Sequence, residues 1–247
     1  MGQYGTRGDT VVHESRPINA ESGLAALTEV LTPTDAFYVR GHGEVPEVDP
    51  GAWRLRIHGA VERELELSLS PLREVFAERE VTATLQCAGN RRAGLMAVRG
   101  IPGVAPWGPG ATGTATWSGI AFADVLALAK PLPAVEHIGF VGADIFTEAR
   151  PAQRFGGAVP LAKAVRPEVI LAWAMNGVPF APVHGAPVRV VVPGYIGARS
   201  VSAAGNLTAR SEPRTATRFH HPAPGRTASG SRSDGSRCGT SAYRSSR

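Results

Sequence analysis

Cysteine is scarce in this 247-residue chain: only Cys87 and Cys238 occur. Two cysteines make no disulfide framework, so a reducing, cytoplasmic setting is the expectation. Lysine is scarcer still relative to its partner cation, with Lys130 and Lys163 against 24 arginines. No apolar run approaches the roughly 20 residues that span a bilayer. The longest, around Val169–Met175, is strand-sized. The opening MGQYGTRGDTVVHESR has neither an apolar h-region nor a twin-arginine pair, and no export signal is read there. No repeat of 20–50 residues is visible, which excludes solenoids and propellers. With 43% hydrophobic residues, however, the chain has enough apolar material for a sizeable core.

The positive charge is concentrated at one end. Asn206–Arg247 holds eight arginines against two acids (Glu212 and Asp234), a local +6, so the remainder carries −1 of the total +5. This end has only Leu207, Phe219 and Tyr243 as large apolar residues among many Ser, Gly, Pro and Thr. Such a segment cannot bury enough surface to offset its ordering entropy. It reads as a solvated, disordered tail over 206–247, and the near-neutral body argues against a nucleic-acid partner. Residues 1–17 read as a flexible leader, and 18–205 as the folded domain.

Within that domain Asn19 reads as the cap of a helix through Thr28, with Leu24, Leu27 and Leu31 on one face. Trp53–Gly59, Leu65–Leu69, Val81–Gln86, His137–Val141, Val169–Ala174 and Pro187–Val192 read as strands. Ser70-Pro71 reads as a helix start and Phe122–Ala129 as a helix. Arg92–Ser118, rich in Gly and Pro, reads as a long functional loop. Strands and short helices without a βαβ rhythm predict an α+β fold with a mixed sheet.

Three clusters carry chemistry. In Leu85-Gln86-Cys87-Ala88-Gly89-Asn90-Arg91-Arg92 a thiol follows a strand and precedes a glycine turn with two guanidiniums. Neighbouring positive charge favours thiolate, which is a nucleophile or a soft metal ligand. Alone, such a cysteine is more often a small buried hydrophobe. Phe37-Tyr38-Val39-Arg40-Gly41-His42 places Arg and His two apart, on one side of an extended segment. The third cluster runs from Met175-Asn176-Gly177 through HGAPVRVVVPG (His184–Gly194) to GARSV (Gly197–Val201).

In this order, together with WSG at Trp117–Gly119 and Asp144 in FVGAD, these motifs resemble the molybdopterin-binding domain of the sulfite oxidase family, from about Thr32 to Val201. The resemblance implies that Cys87 is the protein ligand of molybdenum, beside the dithiolene of one molybdopterin. It places Tyr38, Val39, Arg40, Gly41, His42, Asp144, His184, Arg189, Ser200, Val201 and Ser202 on the pterin and its phosphate. Arg40 and Arg92, with Cys87, become the catalytic set around a small oxyanion such as sulfite. The implied reaction is oxygen-atom transfer, with electrons passed to a separate acceptor, a cytochrome or oxygen.

Departures from the family pattern are equally specific. Gly41 replaces an asparagine, Ser202 stands at a lysine position, and Ser202-Ala203-Ala204 replaces Lys-Trp-Leu. The family's C-terminal immunoglobulin-like domain is not recognisable, so dimerisation is not expected, and the tail invites the hypothesis of an out-of-frame continuation. No haem, flavin or NAD module is expected: there is no Cys-x-x-Cys-His, and no G-x-G-x-x-G follows a strand. The competing readings are an inactive cofactor-binding remnant, a nitrate reductase-like molybdenum domain, a cysteine hydrolase using Cys87 and His184, and a polyanion-binding tail.

Overall fold

The structure, a computed structural model, describes residues 8–101, 104–146 and 151–212. Along the chain come β1 (Val11–Ser15), β2 (Ile18–Glu21), β3 (Val39–Arg40), β4 (Leu55–Gly59), β5 (Leu65–Leu67) and α1 (Leu69–Val75). Then follow β6 (Glu78–Gln86), α2 (Arg92–Val98), β7 (Thr112–Ala121), α3 (Phe122–Ala129), β8 (His137–Phe146) and β9 (Gln153–Pro160). The described chain ends with α4 (Leu161–Ala164), β10 (Ile170–Met175), β11 (Val178–Pro179), β12 (Arg189–Val191) and β13 (Asn206–Arg210). Few, short helices among mixed strands make the architecture α+β, as the sequence predicts. No helix among the described residues is long and apolar enough to cross a membrane.

Two five-stranded sheets share the main core. In one, β10 lies between β7 on one side and β12 and β11 on the other, with β6 beyond β7. Every residue of β10 is buried, as a central strand covered on both faces requires. The other sheet runs β5-β4-β13-β8-β9, with β13 parallel to β4 and antiparallel to β8. Alternation sets its inner face: Leu55 and Ile57 are buried while Arg56 between them is exposed. Helix α3 closes the core with Phe122, Val125, Leu126 and Ala129, one stripe at helical spacing. A second cluster of Phe37, Leu85, Trp107, Trp117, Met175 and Phe180 lies under the region where the sequence motifs converge. The small sheet β1-β2-β3 flanks that region.

Several expectations need correction. Asn19 caps no helix; it sits in β2, and only a 3-10 turn forms at Leu24–Thr28. All four residues of β2 are buried between β1 and β3, whereas Leu24 is 66% exposed, so sheet pairing overrides the local helix signal. Helix α1 starts before Ser70, with Ser68 preceding its first turn. The supposed loop 92–118 contains α2 and most of β7. Glycine misled there: a Cβ at Gly113 would lie 2.7 Å from the Phe37 ring, so this glycine marks close packing against β7, not a turn.

Both domain boundaries also shift. Val11–Ser15 is a strand inside the supposed leader. Asn206–Arg210 is an internal sheet strand with Leu207 and Ala209 buried. Two buried side chains in a five-residue strand are too few to raise the apolar content of a Ser- and Gly-rich window. The tail from Pro213 on, including Cys238, lies outside the described residues.

Candidate active site

Cys87 is placed by the ladder it terminates. After the last pair of β6 and β7 (Gln86 with Thr112), the Cys87 N–H still donates to the Ala111 carbonyl at 2.9 Å. The chain then turns: Asn90 N–H donates to the Cys87 carbonyl at 3.0 Å, and Arg92 N–H to the Gly89 carbonyl at 2.9 Å. Arg91 adopts a left-handed φ of 64° and α2 begins at Arg92. The half-buried Cys87 Sγ accepts the Gly89 N–H at 3.3 Å.

The thiol lines a cavity of about 220 Å³. Of the residues singled out in the sequence, Tyr38, Val39, Arg40, His42, Cys87, Arg92, His184, Arg189, Ser200 and Ser202 line it as well. Gly41 and Asp144 line a smaller adjoining cavity of about 40 Å³, shared with Val39, Arg40, His42 and Ser202. Val201 is different. Its side chain is in the main core and its carbonyl accepts the Val190 N–H at 3.0 Å, so it supports β12 without facing either cavity. Phe155 went unnoticed in the sequence, because Gly156 and Gly157 dilute the pattern of β9. It lines the cavity and stacks on the His42 ring, centroids 3.8 Å apart.

One wall is deeply buried. Arg189 donates to the His184 carbonyl and to the Ser200 carbonyl, each at 2.9 Å, and its guanidinium lies 5.3 Å from the Trp117 ring centre. Its Nε is buried without a hydrogen-bond partner, and no carboxylate pairs with it among the described residues. Burial lowers its pKa to about 10. Burial likewise pushes His184 down to about 4, with Arg189 adding to the effect. His184 is therefore neutral, and its contact with the Thr34 carbonyl at 3.2 Å makes Nε2 the protonated nitrogen. Burial drives the Tyr38 hydroxyl well above its ordinary range, so it stays protonated. Ser200 Oγ accepts the Val192 N–H at 3.0 Å, fixing the end of β12.

The other wall is less deeply buried. Arg40 donates to Asn19 Oδ1 at 2.9 Å and to the Gly41 carbonyl. Burial lowers the Arg40 pKa, while negative charge at Cys87 opposes that shift and Arg92 adds to it. The thiol and both guanidiniums thus share one electrostatic neighbourhood. Arg92 donates to the Ala105 carbonyl at 3.1 Å. Beside them, His42 Nδ1 lies 3.7 Å from Asp144 Oδ2; burial pushes the imidazole pKa down and the Asp144 contact resists. Asp144 Oδ1 is buried without a hydrogen-bond partner.

The family model for an oxidoreductase molybdopterin binding domain matches residues 42–217. The chain belongs to that family. It is 45% identical to sulfite oxidase of Gallus gallus over 196 residues, covering 77% of this chain and 42% of that protein. It is 41% identical to the NADPH nitrate reductase of Emericella nidulans over 192 residues, 75% of this chain and 21% of that protein. The crystal structure of the sulfane dehydrogenase SoxCD from Paracoccus pantotrophus superimposes with a TM-score of 0.70 at 26% identity, covering 81% of this chain and 49% of that one. The chain thus spans less than half the length of these relatives. The family match extends past Arg210, in accord with β13 belonging to the folded body.

Proposed function

We propose that this molybdopterin-binding oxidoreductase domain carries molybdenum on Cys87 and oxidises sulfite or a closely related sulfur oxyanion, passing electrons to a separate acceptor. The observation that carries the reading is the convergence of Cys87, Arg40 and Arg92 on one cavity that also holds a buried cation without a counterion.

The cavity suits the cofactor on its own chemistry. A buried guanidinium without a carboxylate is costly, and a phosphate would supply the missing negative charge while taking the free Nε–H. Asp144 Oδ1 offers a buried acceptor to an amino or ring N–H. Tyr38, protonated, and Ser200 offer hydroxyls on the same wall. No cluster of three His, Cys, Asp or Glu among the described residues could hold a metal ion. A metal at Cys87 therefore needs ligands from its cofactor, and a soft thiolate suits that arrangement. When bound, the molybdenum cofactor supplies the two-electron, oxygen-transfer chemistry.

The chain's own residues then bind and orient. Arg40 and Arg92 attract the anion, and each charge-assisted hydrogen bond contributes on the order of 1.5–3 kcal/mol. Fixed guanidiniums also hold a pyramidal oxyanion by its oxygens, with the sulfur lone pair free to react. Overall, sulfite and water yield sulfate, two protons and two electrons, which ferricyanide can accept one at a time. A Cys-His hydrolase fits the site poorly. No hydrogen bond joins Cys87 to His184, whose Nε2 is committed to Thr34 and whose low pKa makes it a weak base.

The test is molybdenum analysis of protein from a cofactor-producing host, combined with sulfite-dependent ferricyanide reduction. Roughly stoichiometric metal and turnover are expected, and Cys87→Ser should reduce turnover to background by exchanging a soft ligand for a hard one. Metal-free protein from such a host would sink the proposal. Loaded protein that reduces nitrate but ignores sulfite would move the substrate to the nitrate reductase-like alternative.

A further inference from the structure

The small sheet next to the cavity contains an aligned row of polar side chains. Glu14 on β1 pairs in register with Asn19 on β2, and Asn19 pairs in register with Arg40 on β3. Cross-strand partners on one face lie within side-chain reach. Asn19 is fully buried, whereas Glu14 is exposed and Arg40 lines the cavity. Asn19 Nδ2 donates to Glu14 Oε2 and to the Pro17 carbonyl at 3.3 Å, and Asn19 Oδ1 accepts from Arg40 Nη1 at 2.9 Å.

We propose that Asn19 is a positioning residue, oriented by Glu14, that holds the Arg40 guanidinium at the cavity and thereby sets the site's affinity for its oxyanion. The inference rests on the oxyanion role given to Arg40 above. Its logic lies in the amide. A carboxylate only accepts hydrogen bonds and a guanidinium only donates them, so an asparagine between them has one satisfactory orientation. A flipped amide would set oxygen against oxygen and N–H against N–H. Glu14, with the Pro17 carbonyl, thus fixes the amide, and the amide, with the Gly41 carbonyl, holds Arg40. The amide is also neutral. It restrains the cation without cancelling its charge, whereas a carboxylate in the same place would compete with the substrate for the guanidinium.

The experiment is calorimetric titration with sodium sulfate, run on molybdenum-free and loaded protein, alongside sulfite kinetics. Asn19→Asp places a competing carboxylate beside Arg40 and a like charge beside Glu14. Sulfate affinity should fall about tenfold or more, with KM for sulfite rising more than kcat falls. Glu14→Ala, at an exposed position where folding is not at risk, should weaken sulfate binding severalfold at an unchanged melting temperature. In an Arg40→Met background, both substitutions should have no further effect on sulfate affinity. Persistence of either effect there would make the role merely structural and overturn the proposal. Equal sulfate affinity in wild type, Asn19→Asp and Glu14→Ala, with wild-type turnover intact, would overturn it while leaving the functional reading standing. Absence of both sulfate binding and sulfite turnover in wild type would remove the two together.

Discussion

Arg189 and Arg40 line the same cavity but are held in opposite ways. Arg189 is buried on β12, gripped by two backbone carbonyls and lying over Trp117, with no carboxylate beside it among the described residues. Arg40 is partly buried on β3, held by a side-chain amide that a surface carboxylate contacts. A cation taken out of water without a counterion destabilises the fold that carries it, and water offsets little of that cost at a buried wall. A less deeply buried cation keeps part of its hydration and loses less when its anion departs. The buried wall therefore suits a resident anion and the exposed wall an exchanging one.

The largest effect should come from the buried wall. Arg189→Met removes the cation and leaves the His184 and Ser200 carbonyls unpaired. Pterin content, read by fluorescence after oxidative release, should drop at least about tenfold, since a single charge-assisted hydrogen bond exceeds the 1.4 kcal/mol that tenfold requires. Arg40→Met should retain pterin and lose sulfite turnover. Equal pterin loss in both variants would break the distinction between the walls.

The exposed wall should answer to subtler changes. An added Cβ at Gly89 would lie 2.6 Å from an Arg92 terminal nitrogen and 2.8 Å from Trp107 Cδ1. Trp107 is fully buried, and its carbonyl accepts the Ala93 N–H at 2.9 Å, so it cannot retreat. The guanidinium must shift instead. Gly89→Ala should therefore lower kcat/KM for sulfite by about tenfold, a cost consistent with sub-ångström to ångström misplacement of a binding group. Pterin content should not change; a parallel loss would show that Gly89 supports both walls.

Both walls were legible only in part. Cys87, Arg92, His184 and Arg189 stood out because they lie in short motifs whose order carries the family resemblance. The α3 helix, Phe122–Ala129, was equally plain, since its buried stripe repeats at helical spacing. Asn19 was misread because a capping signal is local, whereas its actual partners, Glu14 and Arg40, come from two other strands. Phe155 was missed because glycines interrupt β9. Leu207 was assigned to the tail because composition averages over a window longer than the strand that buries it. Tertiary pairing decided each of these cases, and no periodicity reports it.

The smallest effect should be a pH dependence belonging to the buried wall. His184 titrates near 4 in the folded protein because burial, helped by Arg189, disfavours the imidazolium. In the unfolded chain it titrates near the ordinary value of about 6.5. Between those values the unfolded state binds the proton and the folded state does not, so stability rises with pH across the window and is lost on acidification. His42, also lowered by burial, acts in the same direction. The melting temperature should be flat above about pH 7 and fall as pH drops from 6.5 towards 4, by about 2–4 °C for each kcal/mol lost in a chain of this size. His184→Gln keeps a donor for the Thr34 carbonyl but takes up no proton, so its melting temperature should depend less steeply on pH. On the exposed wall only His42, lowered by burial and by Arg40, should contribute to the slope, so Arg92→Met should leave the curve unchanged. If Arg92→Met flattened the curve and His184→Gln did not, the acid-sensitive proton would belong to the exposed wall, and the asymmetry of burial would not govern how the site responds to acid.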